Sequence, residues 1–318
     1  MKRKIALIGG GNIGGTIAFL MAMKEVYEIV ILDLNEGLAL GKALDIGQSL
    51  SVMKKQAKLV GTCNYKDIQD SDLVIITAGS LRKPGMSRDV LLNINSEIIK
   101  NVAKGVREYA PNAFVIIITN PLDAMVYAFL QYSNFSRKKV VGMAGVLDSA
   151  RFNFFLSREL NISIKNVTSS ILGEHGDTMV PCIKYTHING IPLAELIDNG
   201  LIKNVNLEKV IKKTKFAGTE IVQLFNNASA FYAPATSTVA MAEAYLNNSH
   251  QIFICSVLLK SEYDLNDICI GVPIIIGKNG VKEIIKIDLS PTELELFTQS
   301  AKKITKLINT MKTLMRHV

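Results

Sequence analysis

The sequence predicts an α/β protein in which a doubly wound parallel sheet is followed by a second domain of the α+β class. Two observations lead to this prediction. The first half alternates short β-branched runs with helical patterns, which is typical of βαβ units and of a parallel sheet buried on both faces. The second half carries longer helices, alternating strands and the pair Asn189-Gly190, which is a strong hairpin signal. We therefore expect a first domain over residues 1–144 and a second over residues 145–318.

The elements of the first half follow one another as strand and helix. Short β-branched runs predict strands over residues 4–8, 28–32, 73–77, 114–119 and 140–142. Between them the pattern predicts helices over residues 13–24, 38–51 and 96–109. The last two have apolar residues at three- and four-residue spacing, which indicates one buried face on each helix.

The second half begins with a long helix and ends with another. The predicted helices cover residues 147–160, 207–226, 235–247 and, as a closing amphipathic helix, 291–315. Strands are expected over residues 167–172, 183–187, 252–259 and 272–276. Because neither a repeat nor a flexible linker separates the halves, we expect them to pack closely.

The composition excludes several classes of function. The chain has 318 residues, 48% of them hydrophobic, and a formal net charge of +8. Its basic residues are scattered rather than concentrated in an arm, so we expect no nucleic-acid partner. The uncharged run over residues 221–242 is interrupted by Asn, Ser, Thr and Pro, and the apolar start of the chain is interrupted by glycines, so neither a membrane span nor an export signal is predicted.

The four cysteines show no metal-ligand pattern. They form no CxxC pair and have no histidine at zinc-ligand spacing, and a chain of this length needs no disulfide framework. We expect four reduced thiols, no metal site and a cytoplasmic location.

A glycine motif follows the first predicted strand. Gly9, Gly11 and Gly14 form GxGxxG at the start of a predicted helix. The first glycine permits a tight turn, the second lets the backbone approach a pyrophosphate, and the third allows close helix packing. The phosphates would lie at the helix N-terminus, where free N–H groups and the helix dipole favour negative charge. The motif thus indicates a Rossmann dinucleotide site.

Asp33 completes this motif at the end of the next predicted strand. It lies 19 residues after Gly14, close to the spacing at which a carboxylate accepts from the ribose hydroxyls. Such a carboxylate would repel the extra phosphate of NADP, so the pattern favours NAD. The alternative is that Asp33 merely caps the end of a strand.

A histidine among glycines is the main candidate for acid/base chemistry. His175 lies in the glycine-flanked segment 172–181, at the end of a predicted strand. Asp148 and Arg151 are three residues apart on a predicted helix and so share a face. The carboxylate of Asp148 can orient and stabilise an imidazole, and the planar guanidinium of Arg151 can bind a carboxylate. The alternative for this pair is a surface ion pair.

The segment over residues 79–88 carries three cations between glycines. It follows the strand expected to end at Thr77 and includes Arg82 and Arg88. In a doubly wound sheet ligands bind beyond the carboxyl ends of the strands, so this loop is placed to cover the crevice. It is interpreted either as a lid that brings arginines onto an anion or as a solvated basic loop. Asn120 adds a polar amide at the same edge.

Taken together, these motifs resemble the lactate/malate dehydrogenase family over essentially the whole chain and in the family's order. The matching features are the glycine fingerprint 9–14, Asp33, the lid 79–88, Asn95, the strand end 118–121, Asp148 to Arg151 and the segment 172–181. The resemblance implies a Rossmann domain followed by a catalytic α+β domain that bears the substrate site. It also implies a homodimer or homotetramer.

The resemblance further implies reversible hydride transfer between NAD and a small dicarboxylate, interconverting L-malate and oxaloacetate as in the tricarboxylic acid cycle. His175 would be the acid/base, held by Asp148. Arg151 would bind the C1 carboxylate, Arg88 the reacting oxygen, Arg82 the distal carboxylate, and Asn120 would lie near substrate and nicotinamide. The implied cofactor-binding positions are Gly9, Gly10, Gly11, Asn12, Ile13, Gly14, Asp33, Asn95, Ile118, Thr119 and Asn120.

Two other functions compete with this expectation. L-Lactate dehydrogenase shares nearly every motif, but resembles enzymes with a neutral residue in place of Arg82. A catalytically idle nucleotide-binding or interaction protein would keep the fold alone. The presence of His175, Asp148, Arg151 and Arg88 together argues against the idle protein.

Overall fold

The structure, a computed structural model, describes residues 3–80, 88–203, 205–226 and 228–316, with only the backbone of Arg88 and of residues 314–316. The strands are β1 (Arg3–Ile8), β2 (Tyr27–Leu32), β3 (Lys58–Thr62), β4 (Leu73–Ile76), β5 (Phe114–Ile117), β6 (Val140–Met143), β7 (Val167–Leu172), β8 (Val180–Ile188), β9 (Ile191–Pro192), β10 (Gln251–Lys260), β11 (Asn266–Gly277) and β12 (Gly280–Ile284). The α-helices are α1 (Asn12–Ala22), α2 (Glu36–Val52), α3 (Arg88–Tyr109), α4 (Leu122–Ser133), α5 (Gly145–Glu159), α6 (Leu193–Asp198), α7 (Leu207–Phe225), α8 (Tyr232–Leu246) and α9 (Pro291–Arg316).

A parallel sheet forms the first half, as the sequence predicts. Its strand order is β3-β2-β1-β4-β5-β6, with β1 at the centre pairing with both β2 and β4. All residues of β4, β5 and β6 are buried, which explains why these strands are short continuous apolar runs rather than alternating ones. This is the doubly wound order of a dinucleotide-binding domain, and the predicted fold class is confirmed.

The sheet continues beyond β6 into the second half of the chain. β10 pairs antiparallel with β6, and β11 and β12 follow it, so nine strands form one sheet. A separate sheet of β7, β8 and β9 contains the predicted hairpin, in which Asn189 (φ 51°) and Gly190 (φ 85°) both adopt left-handed backbone. The predicted division at residues 144/145 stays a prediction, since the large sheet runs across it.

One hydrophobic core fills both faces of the large sheet. It includes residues from β1, β2, β4, β5 and β6 and from α8 and α9, and Phe114 of β5 stacks on Tyr245 of α8 with ring centroids 4.5 Å apart. A second, smaller cluster lies around α5 and β7. The close packing of the two halves expected from the sequence is present.

The sequence prediction missed several elements, among them β3, α4, α6 and β12. β3 is an edge strand whose residues are mostly only partly buried, and Gly61 interrupts its apolar run. α4 is buried at ten of its twelve positions, so it lacks the polar face that gives a helix its 3.6-residue pattern. Element ends also differ, because α3 begins at Arg88 rather than at residue 96 and β5 ends at Ile117 rather than at residue 119.

The described ranges contain neither a membrane-spanning helix nor a metal-binding cluster. Within them, no helix has both the length and the apolar content of a bilayer span. The same part of the chain contains no cluster of three or more His, Cys, Asp or Glu side chains arranged to bind a metal ion.

Candidate active site

The glycine loop between β1 and α1 is shaped by contacts that exclude side chains. Gly9 has φ +112°, and a Cβ there would lie 2.5 Å from Thr77 Oγ1. A Cβ on Gly14 would lie 1.9 Å from the carbonyl oxygen of Gly9. By contrast, among the described residues no heavy atom outside Gly11 and its two chain neighbours lies within 4 Å of the position that a Cβ of Gly11 would take. Two glycines are therefore required by the fold, and the third faces open space at the N-terminus of α1.

Asp33 lies directly beside this loop. One carboxylate oxygen accepts a hydrogen bond from the Gly10 N–H at 2.7 Å, and the other accepts from the Asn35 N–H at 2.9 Å. The side chain is half-buried at the carboxyl end of β2. Asp33 thus joins the ends of two strands and also places a carboxylate at the mouth of the glycine loop.

Side chains tie together the loops that follow β1, β4 and β5. The Thr77 hydroxyl donates to the Gly9 carbonyl at 3.0 Å, and the Thr119 hydroxyl donates to the Ala78 carbonyl at 2.7 Å. The buried Asn95 amide accepts from the Ser80 N–H at 2.7 Å and donates to the Asn120 carbonyl at 2.7 Å. Asn95 and Thr119 therefore contact the protein backbone here, and their roles as cofactor contacts stay predictions.

His175 and Asp148 meet from different elements. His175 lies in the loop between β7 and β8, where Gly173 takes φ +88°, and Asp148 lies in the first turn of α5. The Nδ1 of His175 is 2.8 Å from Asp148 Oδ2. The side chain of Asp148 is 2% exposed and that of His175 is 13% exposed. This pairing leaves Nε2 as the ring nitrogen available to a substrate.

Arg151 lies one turn further along α5 and shares Asp148 with the histidine. Its guanidinium contacts Asp148 Oδ1 at 3.4 Å. Gly218 of α7 lies against this guanidinium, since a Cβ there would be 3.5 Å from Arg151 Nη2. Burial lowers the pKa of Arg151, and the adjacent Asp148 opposes this effect. The group remains a cation at neutral pH because an arginine begins from a pKa above 12.

The electrostatic environment of His175 favours its protonated form. Burial alone lowers the pKa of the imidazole, and the nearby Arg151 acts in the same direction. The charge of Asp148 and its hydrogen bond outweigh them, so the pKa of His175 is raised above its usual value. The shift raises the protonated share of the ring relative to an ordinary histidine at the same pH, which suits a group that takes and returns a proton.

Two buried groups behind the histidine were not singled out in the sequence. Asp123, in the first turn of α4, accepts from the His175 backbone N–H at 3.1 Å and from the Ser256 hydroxyl at 2.6 Å. A signal was present for Asp123, which is the only charged residue in the otherwise uncharged segment 120–134. No local pattern marks Ser256, which lies 133 residues further along the chain.

The remaining predicted site residues lie at the same edge or outside the described part. The exposed Asn120 follows β5 and forms a cis peptide bond with Pro121. Arg82 lies outside the described residues, and Arg88 is described only as the first backbone position of α3. The lid and the arginine roles assigned to it therefore stay predictions.

Matches to family models cover nearly the whole chain. Residues 3–142 match the lactate/malate dehydrogenase NAD-binding domain, and residues 145–315 match the α/β C-terminal domain of the same family. The chain belongs to the lactate/malate dehydrogenase family. It therefore carries the NAD-binding domain of an oxidoreductase family, as predicted from Gly9 to Gly14 and Asp33.

Individual relatives agree with this assignment. A malate dehydrogenase from Ehrlichia canis is 49% identical over 308 residues, covering 97% of this chain and 98% of that protein. The crystal structure of a Cryptosporidium parvum malate dehydrogenase has a TM-score of 0.95 at 46% identity, covering 98% of this chain and 100% of that one. A lactate dehydrogenase from Cryptosporidium parvum, solved with lactic acid and nicotinamide adenine dinucleotide, has a TM-score of 0.94 at 40% identity, covering 98% of each chain.

Proposed function

We propose that this protein is an NAD-dependent L-malate dehydrogenase that interconverts L-malate and oxaloacetate. The observation that carries the proposal is the contact of His175 with Asp148 at 2.8 Å, with Arg151 on the second oxygen of the same carboxylate. An acid/base, its orienting carboxylate and a cation for the substrate are thus held in one corner. The 49% identity to a malate dehydrogenase supports the same activity.

The glycine loop fits the pyrophosphate of NAD. Within the described residues no side chain caps the N-terminus of α1, so the amides of its first turn are left to a ligand. The open space beside Gly11 would be filled by a Cβ and is available to phosphate oxygens. We assign the cofactor to Gly9, Gly10, Gly11, Asn12, Ile13, Gly14, Asp33, Asn95, Ile118, Thr119 and Asn120. When bound, NAD⁺ supplies the hydride acceptor for the reaction.

The catalytic corner supplies the proton chemistry. The bound cofactor would accept the C2 hydrogen of malate together with its bonding electron pair, and Nε2 of His175 would take the hydroxyl proton. Asp148 stabilises the imidazolium that forms, through its contact with Nδ1. In the reverse direction His175 returns this proton to the carbonyl oxygen of oxaloacetate.

Charged side chains would hold the two carboxylates of the substrate. We assign Arg151 to the C1 carboxylate, as a bidentate partner. We assign Arg88 to the reacting oxygen, Arg82 to the distal carboxylate and Asn120 to the space between substrate and nicotinamide. Two hydrogen bonds support placing these groups in one crevice. The Asn95 amide donates to the Asn120 carbonyl, and Asp123, three residues after Asn120, accepts from the His175 backbone N–H.

L-Lactate dehydrogenase is the second candidate. The backbone does not separate the two candidates, since this chain has TM-scores of 0.95 to a malate dehydrogenase and 0.94 to a lactate dehydrogenase. The distinction rests on Arg82. Pyruvate lacks the distal carboxylate, so a lid closing over it would bury Arg82 unpaired, whereas oxaloacetate supplies its partner.

The deciding experiment compares oxaloacetate with pyruvate as the oxidant of NADH. We expect a higher kcat/KM for oxaloacetate, and preference for pyruvate would favour lactate dehydrogenase. Arg82→Gln should lower kcat/KM for oxaloacetate by about tenfold or more, because a charge-assisted hydrogen bond contributes about 1.5–3 kcal/mol. The value for pyruvate should stay or rise. An absence of turnover with both acids would indicate the idle nucleotide-binding protein.

The surface supports assembly into a homodimer or homotetramer. α2 exposes Leu40 and Leu44 by 51% and 65%, and α7 exposes Phe216 and Leu224 by 50% and 72%. Apolar side chains of this size on helix faces are typical of surfaces that pair with another subunit. Light scattering during size-exclusion chromatography gives the number of subunits in the assembly, and Leu44→Glu should reduce that number. A monomer at micromolar concentration would contradict the proposal.

The cysteines support a cytoplasmic location. All four are free thiols, and three of them, Cys182, Cys255 and Cys269, are buried. Burial raises the pKa of Cys182 to about 12. Free thiols are typical of a reducing compartment. Fractionation of cells followed by immunodetection checks this assignment, and recovery with exported proteins would contradict it.

A further inference from the structure

A second buried carboxylate lies behind the histidine and has no part in the steps proposed above. Asp123 is 3% exposed and Ser256 is fully buried. Oδ1 of Asp123 accepts from the Ser256 hydroxyl at 2.6 Å, and Oδ2 accepts from the His175 backbone N–H at 3.1 Å. Both oxygens of the carboxylate therefore have a donor.

The position of Asp123 connects three parts of the site. It follows Asn120 by three residues, it bonds the backbone of His175, and through Ser256 it reaches β10 where that strand pairs with Gly142 of β6. Asp148 holds the histidine ring, whereas Asp123 holds the histidine backbone. One residue is thus fixed at two points by two carboxylates from different helices.

Burial and hydrogen bonding act in opposite directions on the charge of Asp123. The titratable groups that face it are the His175 imidazole, the Glu174 carboxylate and the Cys269 thiol. Burial raises the pKa of Asp123 to about 6, although the hydrogen bonds from Ser256 and the His175 backbone act in the opposite direction. The carboxylate is therefore mostly ionised at neutral pH. Its location in the first turn of α4 adds the favourable end of the helix dipole.

We propose that Asp123 is a positioning residue of the active site, whose negative charge fixes the His175 backbone and favours the protonated imidazole. This inference rests on the proposed function, in which His175 is the acid/base. Asp123 acts through His175 and is not assigned a contact with substrate. It gives α4, which begins two residues after Asn120, an influence on the proton affinity of the catalytic group.

The sign of the effect follows from the charge. A carboxylate near an imidazole stabilises the imidazolium, so removing the charge lowers the pKa of His175. Reduction of oxaloacetate needs protonated His175, so its kcat/KM falls as the pH rises through that pKa. Loss of the Asp123 charge should therefore move this fall to lower pH. A merely structural role would lower the height of the profile without moving its midpoint.

The test is Asp123→Asn, which removes the charge and keeps the shape. The amide oxygen can accept from the His175 N–H, and the amide nitrogen can donate to Ser256 Oγ. We expect the midpoint of kcat/KM against pH, measured with oxaloacetate and saturating NADH, to fall by about 0.5–1 pH unit. Asp267→Asn is the matched control. It also removes a carboxylate bonded to α4, through Tyr127, but one that is 56% exposed, and it should leave the midpoint unchanged.

A second measurement does not depend on activity. The chain has four histidines, and NMR titration of their rings in the cofactor-free protein, with His175→Asn to assign one signal, gives the pKa of His175 directly. This pKa should fall in Asp123→Asn. If Asp123→Asn does not fold, Ser256→Ala provides the test. Loss of the Ser256 hydroxyl makes the Asp123 carboxylate easier to protonate, so the pKa of His175 should fall by a smaller amount.

The outcomes separate this inference from the proposed function. A His175 pKa that is unchanged in Asp123→Asn, or in Ser256→Ala where the former does not fold, overturns the role of Asp123. Absence of turnover by the unmodified protein with both oxaloacetate and pyruvate overturns the proposed function instead, and the NMR titration still tests Asp123.

Discussion

The cofactor loop and the catalytic corner are built in opposite ways. The loop around Gly9 to Gly14 is formed by backbone within one strand-turn-helix segment, and its shape depends on side chains being absent. The corner around His175 is formed by side chains that come from α4, α5 and β10, up to 133 residues apart. Its chemistry depends on charges being present.

This difference determines what damages each region. At Gly9 and Gly14, an added methyl group collides with backbone that cannot move without displacing a strand or a helix. In the corner, removal of one charge leaves a buried partner uncompensated, which is costly in a site with little solvent. Substitutions that add atoms should therefore separate the roles of the glycines, and substitutions that remove charge should separate the roles of the corner residues.

The largest effect is expected in the corner, from His175→Asn. Loss of the acid/base should lower kcat by about 10² to 10⁴, the usual contribution of a positioned proton-transfer group. Binding of NADH should be nearly unchanged, because the glycine loop is formed by a different segment. Steady-state kinetics with oxaloacetate and a fluorescence titration with NADH check both expectations. Turnover within a few fold of the unmodified enzyme would remove His175 from the mechanism.

The next effect should separate two glycines of the loop. Gly14→Ala places a Cβ 1.9 Å from the Gly9 carbonyl oxygen, so it should lower the free energy of unfolding by a few kcal/mol. Gly11→Ala is the matched control, since the described residues leave 4 Å of open space around its Cβ. It should fold normally but bind NADH more weakly, because the methyl group fills the space assigned to phosphate.

Thermal unfolding and NADH titration of both variants test this separation. Equal stability losses in Gly14→Ala and Gly11→Ala would mean that the two glycines have the same structural role. Unchanged NADH affinity in Gly11→Ala would move the pyrophosphate away from that residue.

The same contrast explains how much was predictable from the sequence. The loop was found in full, because its glycines and Asp33 stand at fixed local spacing after a strand. His175, Asp148 and Arg151 were found as candidates, and the helix spacing placed the last two on one face. The contact between His175 and Asp148 joins separate segments and was not determined by spacing, so it came from the family resemblance.

Other parts of the corner had no usable local pattern. Asp123 lies in α4, a helix that was missed because it is buried on nearly every side and so has no amphipathic period. Ser256 and Gly218 are single small residues whose importance depends on what packs against them. In each case the tertiary approach of two elements, rather than the sequence near the residue, determines the role.

A smaller effect is expected at Asp33, which combines a backbone contact, as in the glycine loop, with a functional charge, as in the catalytic corner. Its carboxylate accepts hydrogen bonds from backbone N–H groups beside the glycine loop, and we propose that its charge also excludes the 2′-phosphate of NADP. Asp33→Ser should narrow the preference for NAD over NADP by roughly tenfold, the effect of about 1.4 kcal/mol of like-charge repulsion. The measurement is kcat/KM for both cofactors in both proteins. Equal values for the two cofactors in the unmodified protein would refute the assignment.

The smallest effect is expected at Lys303 of α9, outside both regions. Its ammonium contacts Glu174 at 2.9 Å and also Asp177, which lie one residue before and two residues after His175 in the loop. This bridge joins α9 to the loop without touching the imidazole.

Because the bridge is partly exposed, Lys303→Ala should lower stability by only about 0–1 kcal/mol. A looser loop presents His175 less often in the reactive position, so kcat/KM for oxaloacetate should fall by about 2–5-fold, within the same 1 kcal/mol. Lys302→Ala removes the same charge from the exposed neighbouring position and is the matched control. The difference between the two variants should shrink at high salt, since ionic screening weakens the bridge in the unmodified protein. Equal kinetics in both variants at low salt would show that α9 does not position the loop, and that the contacts of Asp148 and Asp123 with His175 are sufficient to hold it.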